Sequence, residues 1–378
     1  MPEESMARGL EGVVVGETRL SRVDGEAGEL TIAGFPVEAL APNASFEETL
    51  FLLYEDRLPD AGELEAFEDR LAERRALPAA TLDLLRAAAE TEQGPMDALR
   101  MGAASAGMAR GAGENPEADS LLLVSQFPTI VAAYWRLRNG EEPVQPRADL
   151  DHAANYLYML TGEGPDQAAV RGLETYLNTV ADHGLNASTF TARTIVSTES
   201  DVLSAVTGAV GALKGPLHGG APGPVLDMLH EIEEAGDPEA VLRRTLEAGE
   251  RLMGFGHRVY RVRDPRAAVL SGSAERFYAD ADDRAFLELA SEVESVGVDL
   301  LAEHRPELSL QTNVEFYTAV LLNGVGVPRE LFTPTFGVAR VGGWTAHCRE
   351  QLADNRLIRP RSRYVGAEGR AWTPVEDR

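Results

Sequence analysis

Residues 213–266 read LKGPLHGGAPGPVLDMLHEIEEAGDPEAVLRRTLEAGERLMGFGHRVYRVRDPR, and they set two histidines in glycine-flanked turns beside a run of arginines. His218 sits in Pro216-Leu217-His218-Gly219-Gly220, where missing side chains let a ligand or another backbone come close to the imidazole. His257 has a similar setting in Gly254-Phe255-Gly256-His257 and is followed by Arg258, Arg261, Arg263 and Arg266. One histidine beside two glycines is most often a structural turn, and one arginine run is most often a solvated face. Two such turns in one chain, joined by two helical segments, point to a site for an anionic ligand. The first segment carries Val225, Met228, Leu229 and Ile232 and stops at Gly236. Asp237 and Pro238 open the second as N-cap and first helical residue, with Leu242, Leu246 and Leu252 on its face.

Outward from this stretch the pattern is helical. Residues 12–33 alternate apolar with polar around Asp24-Gly25 and Gly28, which predicts a strand pair or hairpin. Ser45 and Glu48 form a capping box, and Leu64 to Met101 reads as a helical region interrupted near Leu77-Pro78. Helices are further expected from Phe127-Pro128 to Arg138, closed by Asn139-Gly140, and over Asp149 to Leu160 and Asp166 to Thr179. The run Ala187 to Leu213, rich in Ala, Ser and Thr, reads as one helix, and Arg284 to Leu301 as another. His183, in the polar turn Ala181-Asp182-His183-Gly184, lies at a helix end from which its side chain can reach a cleft. The tally is an all-α protein with a small N-terminal β element.

Composition narrows the function. The 378 residues suffice for two domains. Cys348 is the single cysteine, so no disulfide within the chain is possible, which fits a reducing cytoplasm. The N-terminus lacks a basic region followed by an apolar core, so no secretory signal is expected. The apolar window Leu121 to Trp135 is broken by Ser125, Gln126 and Pro128 and falls short of a membrane span. A formal net charge of −26 disfavours nucleic acid and anionic membranes as partners. Lys214 is the only lysine, which a GC-rich genome would explain, but the acidic excess needs another reason and suggests a halophilic source.

PLHGGAP followed by GFGHRVYRVRDPR resembles the citrate synthase family. The likeness extends to DHGLNASTFTAR at 182–193, TNVEFYTAVLL at 312–322 and LFTPTFGVARVGGWTAH at 331–347. The resemblance implies a two-domain helical fold, with a large domain from 1–219 and 326–378, a small one from 220–325, and a cleft that closes on substrate. It implies condensation of acetyl-CoA with oxaloacetate and hydrolysis of the citryl-CoA formed, without a metal or bound redox cofactor. On its motifs, His218 would donate to the acetyl-CoA carbonyl, His257 would polarise the oxaloacetate ketone, and Glu315 would be the base. His183, Arg266 and Arg340 would hold oxaloacetate carboxylates. Arg359, in RPRSRY, would reach the neighbouring subunit's site in a homodimer. Arg258, Arg261 and Arg263, with Gly254 and Gly256, would lie near the CoA nucleotide, Arg261 being the best phosphate contact.

One position departs from the pattern. The family's base is usually aspartate in a stretch like NVD, whereas this chain has Asn313-Val314-Glu315, as do some relatives sharing the HGGAP form. The alternatives are a 2-methylcitrate synthase using propionyl-CoA, or a weakly active regulatory protein that binds CoA or a tricarboxylate.

Overall fold

The computed structural model describes residues 7–108, 113, 115–220, 222–257, 259–280 and 284–378. It is all-α with a small N-terminal sheet, as expected. Strands β1 (Ser21–Asp24), β2 (Glu29–Ile32) and β3 (Phe35–Pro36) pair antiparallel in that order. The strand pair predicted over 12–33 is therefore shorter than expected, because Val13, Val14 and Val15 are exposed and pair with nothing in the sheet.

The helices α1 (Val37–Leu40), α2 (Phe46–Glu55), α3 (Ala61–Ala72), α4 (Ala79–Glu90) and α5 (Pro95–Ser105) follow. Ser45 and Glu48 make the predicted capping box of α2, at 3.0 Å and 2.7 Å. The region 64–101 is broken once more than predicted, at Thr91–Gly94, where Glu92 adopts a left-handed φ of 54°. Next come α6 (Pro116–Arg138), α7 (His152–Thr161), α8 (Gln167–Val180), α9 (Ala187–Val196) and α10 (Val202–Leu213). Helix α6 starts well before Phe127, since Asn115 caps it and Pro116 suits its first turn. It runs through Pro128, and it is buried on nearly all sides, so packing outweighs the lost backbone hydrogen bond. The single helix predicted over 187–213 is two, because Glu199 turns left-handed at φ 65° and Asp201 caps α10 through Ser204 N at 2.6 Å.

The chain continues with α11 (Pro222–Ala235), α12 (Pro238–Glu247), α13 (Pro265–Phe277), α14 (Arg284–His304), α15 (Val314–Val325) and α16 (Phe332–Ala353). Asp237 caps α12 as predicted, while Leu252 lies beyond that helix. Helix α16 is enclosed by α6, α8, α9 and α10, and α8 also packs against α13 and α15. Among the described residues no helix is long and apolar enough to cross a membrane. After α16 the chain runs on as a largely exposed tail.

Candidate active site

Two loops zip together to make one wall of the site. Phe255 and Thr312 form an isolated antiparallel bridge. Around it Gly256 N donates to Gln311 O at 2.7 Å, Asn313 N to Gly254 O at 2.9 Å, and Asp264 N to Thr312 O at 3.2 Å. Asn313 then does two jobs: its Nδ2 donates to Gly256 O at 2.8 Å, and its Oδ1 caps α15 through Glu315 N at 3.0 Å. His257 and Glu315 are thereby fixed relative to each other. Gly254 is required here, since it has φ 86° and a Cβ would lie 2.9 Å from Phe316. The glycines beside His218 likewise serve packing, for a Cβ on Gly219 would meet the Leu213 carbonyl at 2.5 Å.

The loop after His257 is pinned from both sides. Val259 N and Tyr260 N donate to His257 Nδ1 at 3.0 and 3.1 Å. From outside, Arg261 N donates to Gly25 O at 2.9 Å in the β1–β2 turn, and a Cβ on Gly25 would lie 2.3 Å from the Val259 carbonyl. Because Nδ1 accepts two N–H groups, the neutral ring carries its proton on Nε2. Arg266 lies 3.3 Å from that nitrogen and is itself only a donor. Both groups therefore call for an oxygen acceptor between them.

His218 faces the N-terminus of α9. Its Nε2 is 3.3 Å from Ser188 N and 2.7 Å from Ser188 Oγ, which also accepts from Trp344 Nε1 at 3.0 Å. An amide can only donate, so Nε2 accepts and Nδ1 is left with the proton to offer. His183 makes a 3.1 Å contact from Nε2 to Tyr260 Oη and lies 5.9 Å from the His257 ring, centroid to centroid.

The charge pattern is that of a site awaiting an anion. Arg266 is buried and paired with Asp264 at 2.8 Å, and Asp264 also accepts from Val314 N at 3.3 Å. Arg340 is buried over the Phe336 ring, with Nε donating to Val180 O at 2.7 Å, and among the described residues no carboxylate pairs with it directly. Burial, opposed by Asp182 and aided by Arg266, pulls the Arg340 guanidinium down to about 10. Burial and Arg340 bring His218 down to about 4, and burial and Arg266 do the same to His257. His183 is pushed well below its ordinary value by burial and then by Arg266 and Arg340. All three histidines are thus neutral donors at pH 7. Glu315 is pushed up to about 7, mainly by burial and against the pull of Arg266. Among the described residues no donor engages its carboxylate.

A cavity of about 570 Å³ opens beside this wall, with Gly256 and His257 at its edge. Arg251, His304 and Arg305 supply cationic or polar groups to its lining, and Leu252, Phe255, Leu308 and Leu310 supply apolar ones. Sequence reasoning missed those three polar residues, which sit in no motif.

The structure brings together His183, His218, His257, Arg266, Arg340 and Glu315. It leaves three predicted residues elsewhere. Arg261 is exposed toward the β1–β2 turn, Arg263 is tied to Glu294 at 3.0 Å and stacks on Tyr317, and Arg359 lies on the exposed tail. Arg258 falls outside the described residues. No group of side chains suited to a metal ion occurs among the described residues.

The chain is similar to known proteins along nearly its whole length. The family described as citrate synthase, C-terminal domain, matches residues 9–361. The chain is 43% identical to a citrate synthase of Haloferax volcanii, over 99% of both chains. It is 37% identical to a 2-methylcitrate synthase of Shewanella oneidensis, over 98% of this chain and 97% of that one. In structure it is similar to the citrate synthase of Thermoplasma acidophilum in ternary complex with carboxymethyl coenzyme A and oxaloacetate, with a TM-score of 0.89, 28% identity and 99% coverage of each chain.

Proposed function

Since the chain belongs to the citrate synthase family, we propose that its three neutral histidines, two buried arginines and Glu315 carry out the condensation of acetyl-CoA with oxaloacetate. The reaction must remove a weakly acidic proton from a thioester methyl group, stabilise the enolate oxygen and polarise a ketone. Glu315 takes the methyl proton, while Nδ1–H of His218 donates to the thioester oxygen. The enolate carbon then attacks the ketone carbon of oxaloacetate, opening the C=O π bond; the oxygen, held by Nε2–H of His257, stays on that carbon and takes up a proton to become the citryl hydroxyl, while the methyl proton held by Glu315 returns to solvent. Water finally cleaves the thioester to citrate and CoA. His183, Arg266 and Arg340 hold the oxaloacetate carboxylates, for which paired guanidinium hydrogen bonds are suited. The 570 Å³ cavity beside His257 takes the CoA nucleotide, with Arg251 and Arg305 available to phosphate. No metal or bound redox cofactor enters the scheme.

The observation that carries this reading is the pairing of a carboxyl near pKa 7, which no donor among the described residues engages, with neutral imidazoles at His218 and His257 whose tautomers are set by backbone N–H partners. A base with that pKa loses its proton as pH rises through 7, so kcat/KM for oxaloacetate should climb tenfold per unit below about pH 7 and level off above it. A flat profile from pH 5.5 to 8 would remove Glu315, or its burial, from the mechanism.

The site's groups divide between two parts of the chain. His183, His218 and Arg340 come from 1–219 and 326–378, whereas His257, Arg266 and Glu315 come from 220–325. Movement of the smaller segment on α8 would then open and close the cleft. The exposed position of Arg359 suits a homodimer in which it completes the neighbouring site. The 61 acidic against 35 basic residues suit a salt-rich cytoplasm, where self-repulsion is screened. The thermal midpoint should accordingly rise between dilute buffer and molar potassium chloride; an unchanged midpoint would refute the halophilic reading.

A further inference from the structure

We propose that His347 is a positioning residue for oxaloacetate, acting through Asp182 to hold the turn that presents His183. The proposal rests on the reading that His183 holds an oxaloacetate carboxylate.

His347 lies two helical turns beyond Arg340 on α16, so both point at the turn after α8. Between them is Gly343, where a Cβ would lie 2.3 Å from the Ala181 carbonyl and 2.9 Å from Asp182 Oδ1. This helix face is therefore a cradle for residues 180–182. Arg340 Nε grips its near end at Val180 O, and His347 Nε2 meets Asp182 Oδ1 at 3.1 Å.

The direction of every hydrogen bond in the cradle is determined. Arg193 NH1 lies 3.1 Å from His347 Nδ1 and can only donate, so Nδ1 accepts and Nε2–H donates to Asp182. Asp182 Oδ2 accepts from Ser21 Oγ at 2.6 Å, and Ser21 Oγ accepts from Gly184 N at 2.7 Å. The chain thus clasps His183 through both its neighbours. Arg193 is itself held by Glu350 at 2.6 Å and Gln351 at 3.0 Å. Arg193, His347 and Asp182 are each more than nine-tenths buried. His347 is fully enclosed and both its nitrogens are engaged, so it cannot touch substrate.

The same contact keeps Asp182 from competing for Arg340. Burial would raise the Asp182 carboxyl, but His347, Arg340 and the Ser21 hydroxyl together hold it below the ordinary range. Without the imidazole donor, the carboxylate would turn to Arg340, the group meant for the substrate anion. Loss of His347 should therefore weaken oxaloacetate binding and leave the condensation step alone.

The test is steady-state kinetics of the full chain carrying His347→Leu, His347→Gln, Ser21→Ala or His183→Ala. His347→Leu should raise KM for oxaloacetate roughly ten- to a hundredfold, as expected for a lost hydrogen bond to a buried charge, with kcat and KM for acetyl-CoA little changed. His347→Gln can still donate to Asp182 and accept from Arg193, so it should restore the wild-type KM. Ser21→Ala removes the short hydroxyl link at the partly exposed end and leaves only the 3.3 Å contact from Gly184 N to Asp182 Oδ2, without disturbing α16, so it should raise the same KM; it decides the matter if the His347 variants do not fold. Unchanged KM in folded His347→Leu or in Ser21→Ala, or equal damage from Leu and Gln at 347, would overturn the proposal. If His183→Ala also kept a wild-type KM, the assignment of His183 would fall with it; an impaired His183→Ala would confine the failure to His347.

Discussion

Glu315→Gln should lower turnover by about 10²- to 10⁴-fold, the contribution of a positioned general base, with little change in oxaloacetate affinity. The amide keeps the size and place of the side chain and cannot take a proton. Glu315→Asp should also slow the reaction. Its intrinsic pKa differs by only about 0.4 unit, so reach decides the outcome. The backbone at 313–315 is anchored by the Asn313 cap, by Gly254 and by Asp264, and it cannot advance to make up for a shorter side chain. A base withdrawn by roughly an ångström can cost on the order of 10²-fold. Exchange of the acetyl-CoA methyl protons with deuterated solvent separates the steps, because it needs the base and not the ketone. If Glu315→Gln keeps near-full activity, another group is the base; if Glu315→Asp is substantially faster than wild type, glutamate is an impairment and the regulatory reading gains.

His218→Ala and His257→Ala should each lose roughly 10² to 10³ in kcat, the cost of one donor to an oxygen on which charge develops. Both rings are only half-buried and sit in turns, so the helical circular dichroism should be unchanged. The backbone geometry makes the two losses distinct. Ser188 orients His218 from the α9 side, while Val259 and Tyr260 orient His257 from the opposite wall. A folded variant within about twofold of wild type would take that histidine out of the mechanism.

Part of this candidate site is legible in sequence because two of its histidines, His218 and His257, lie in glycine-rich turns that interrupt helices. Glu315 follows the Asn313 cap as the second residue of α15, and Arg340 lies inside α16, so these two stand out only through the longer motifs that hold them. What cannot be read is convergence. Nothing in the local pattern says that His347, which looks like any histidine on a helix, faces Asp182, although the spacing Arg340, Gly343, His347 marks a single helix face. Arg251, His304 and Arg305 are ordinary surface residues until α12 and α14 are packed around a cavity. The missed helix break was present in the sequence as the polar run Ser197-Thr198-Glu199-Ser200-Asp201, whose last residue is a good N-cap. The start of α6 is likewise marked by Asn115-Pro116, while Phe127-Pro128 offers a second start signal inside the same helix.

Steady-state assay in high potassium chloride, with acetyl-CoA and propionyl-CoA side by side and the acid product identified, separates a working synthase from a protein that only binds CoA. Oxaloacetate-dependent release of CoA from acetyl-CoA, matched one for one by citrate and faster than with propionyl-CoA, is the predicted result. Binding of CoA with turnover of neither thioester would contradict it.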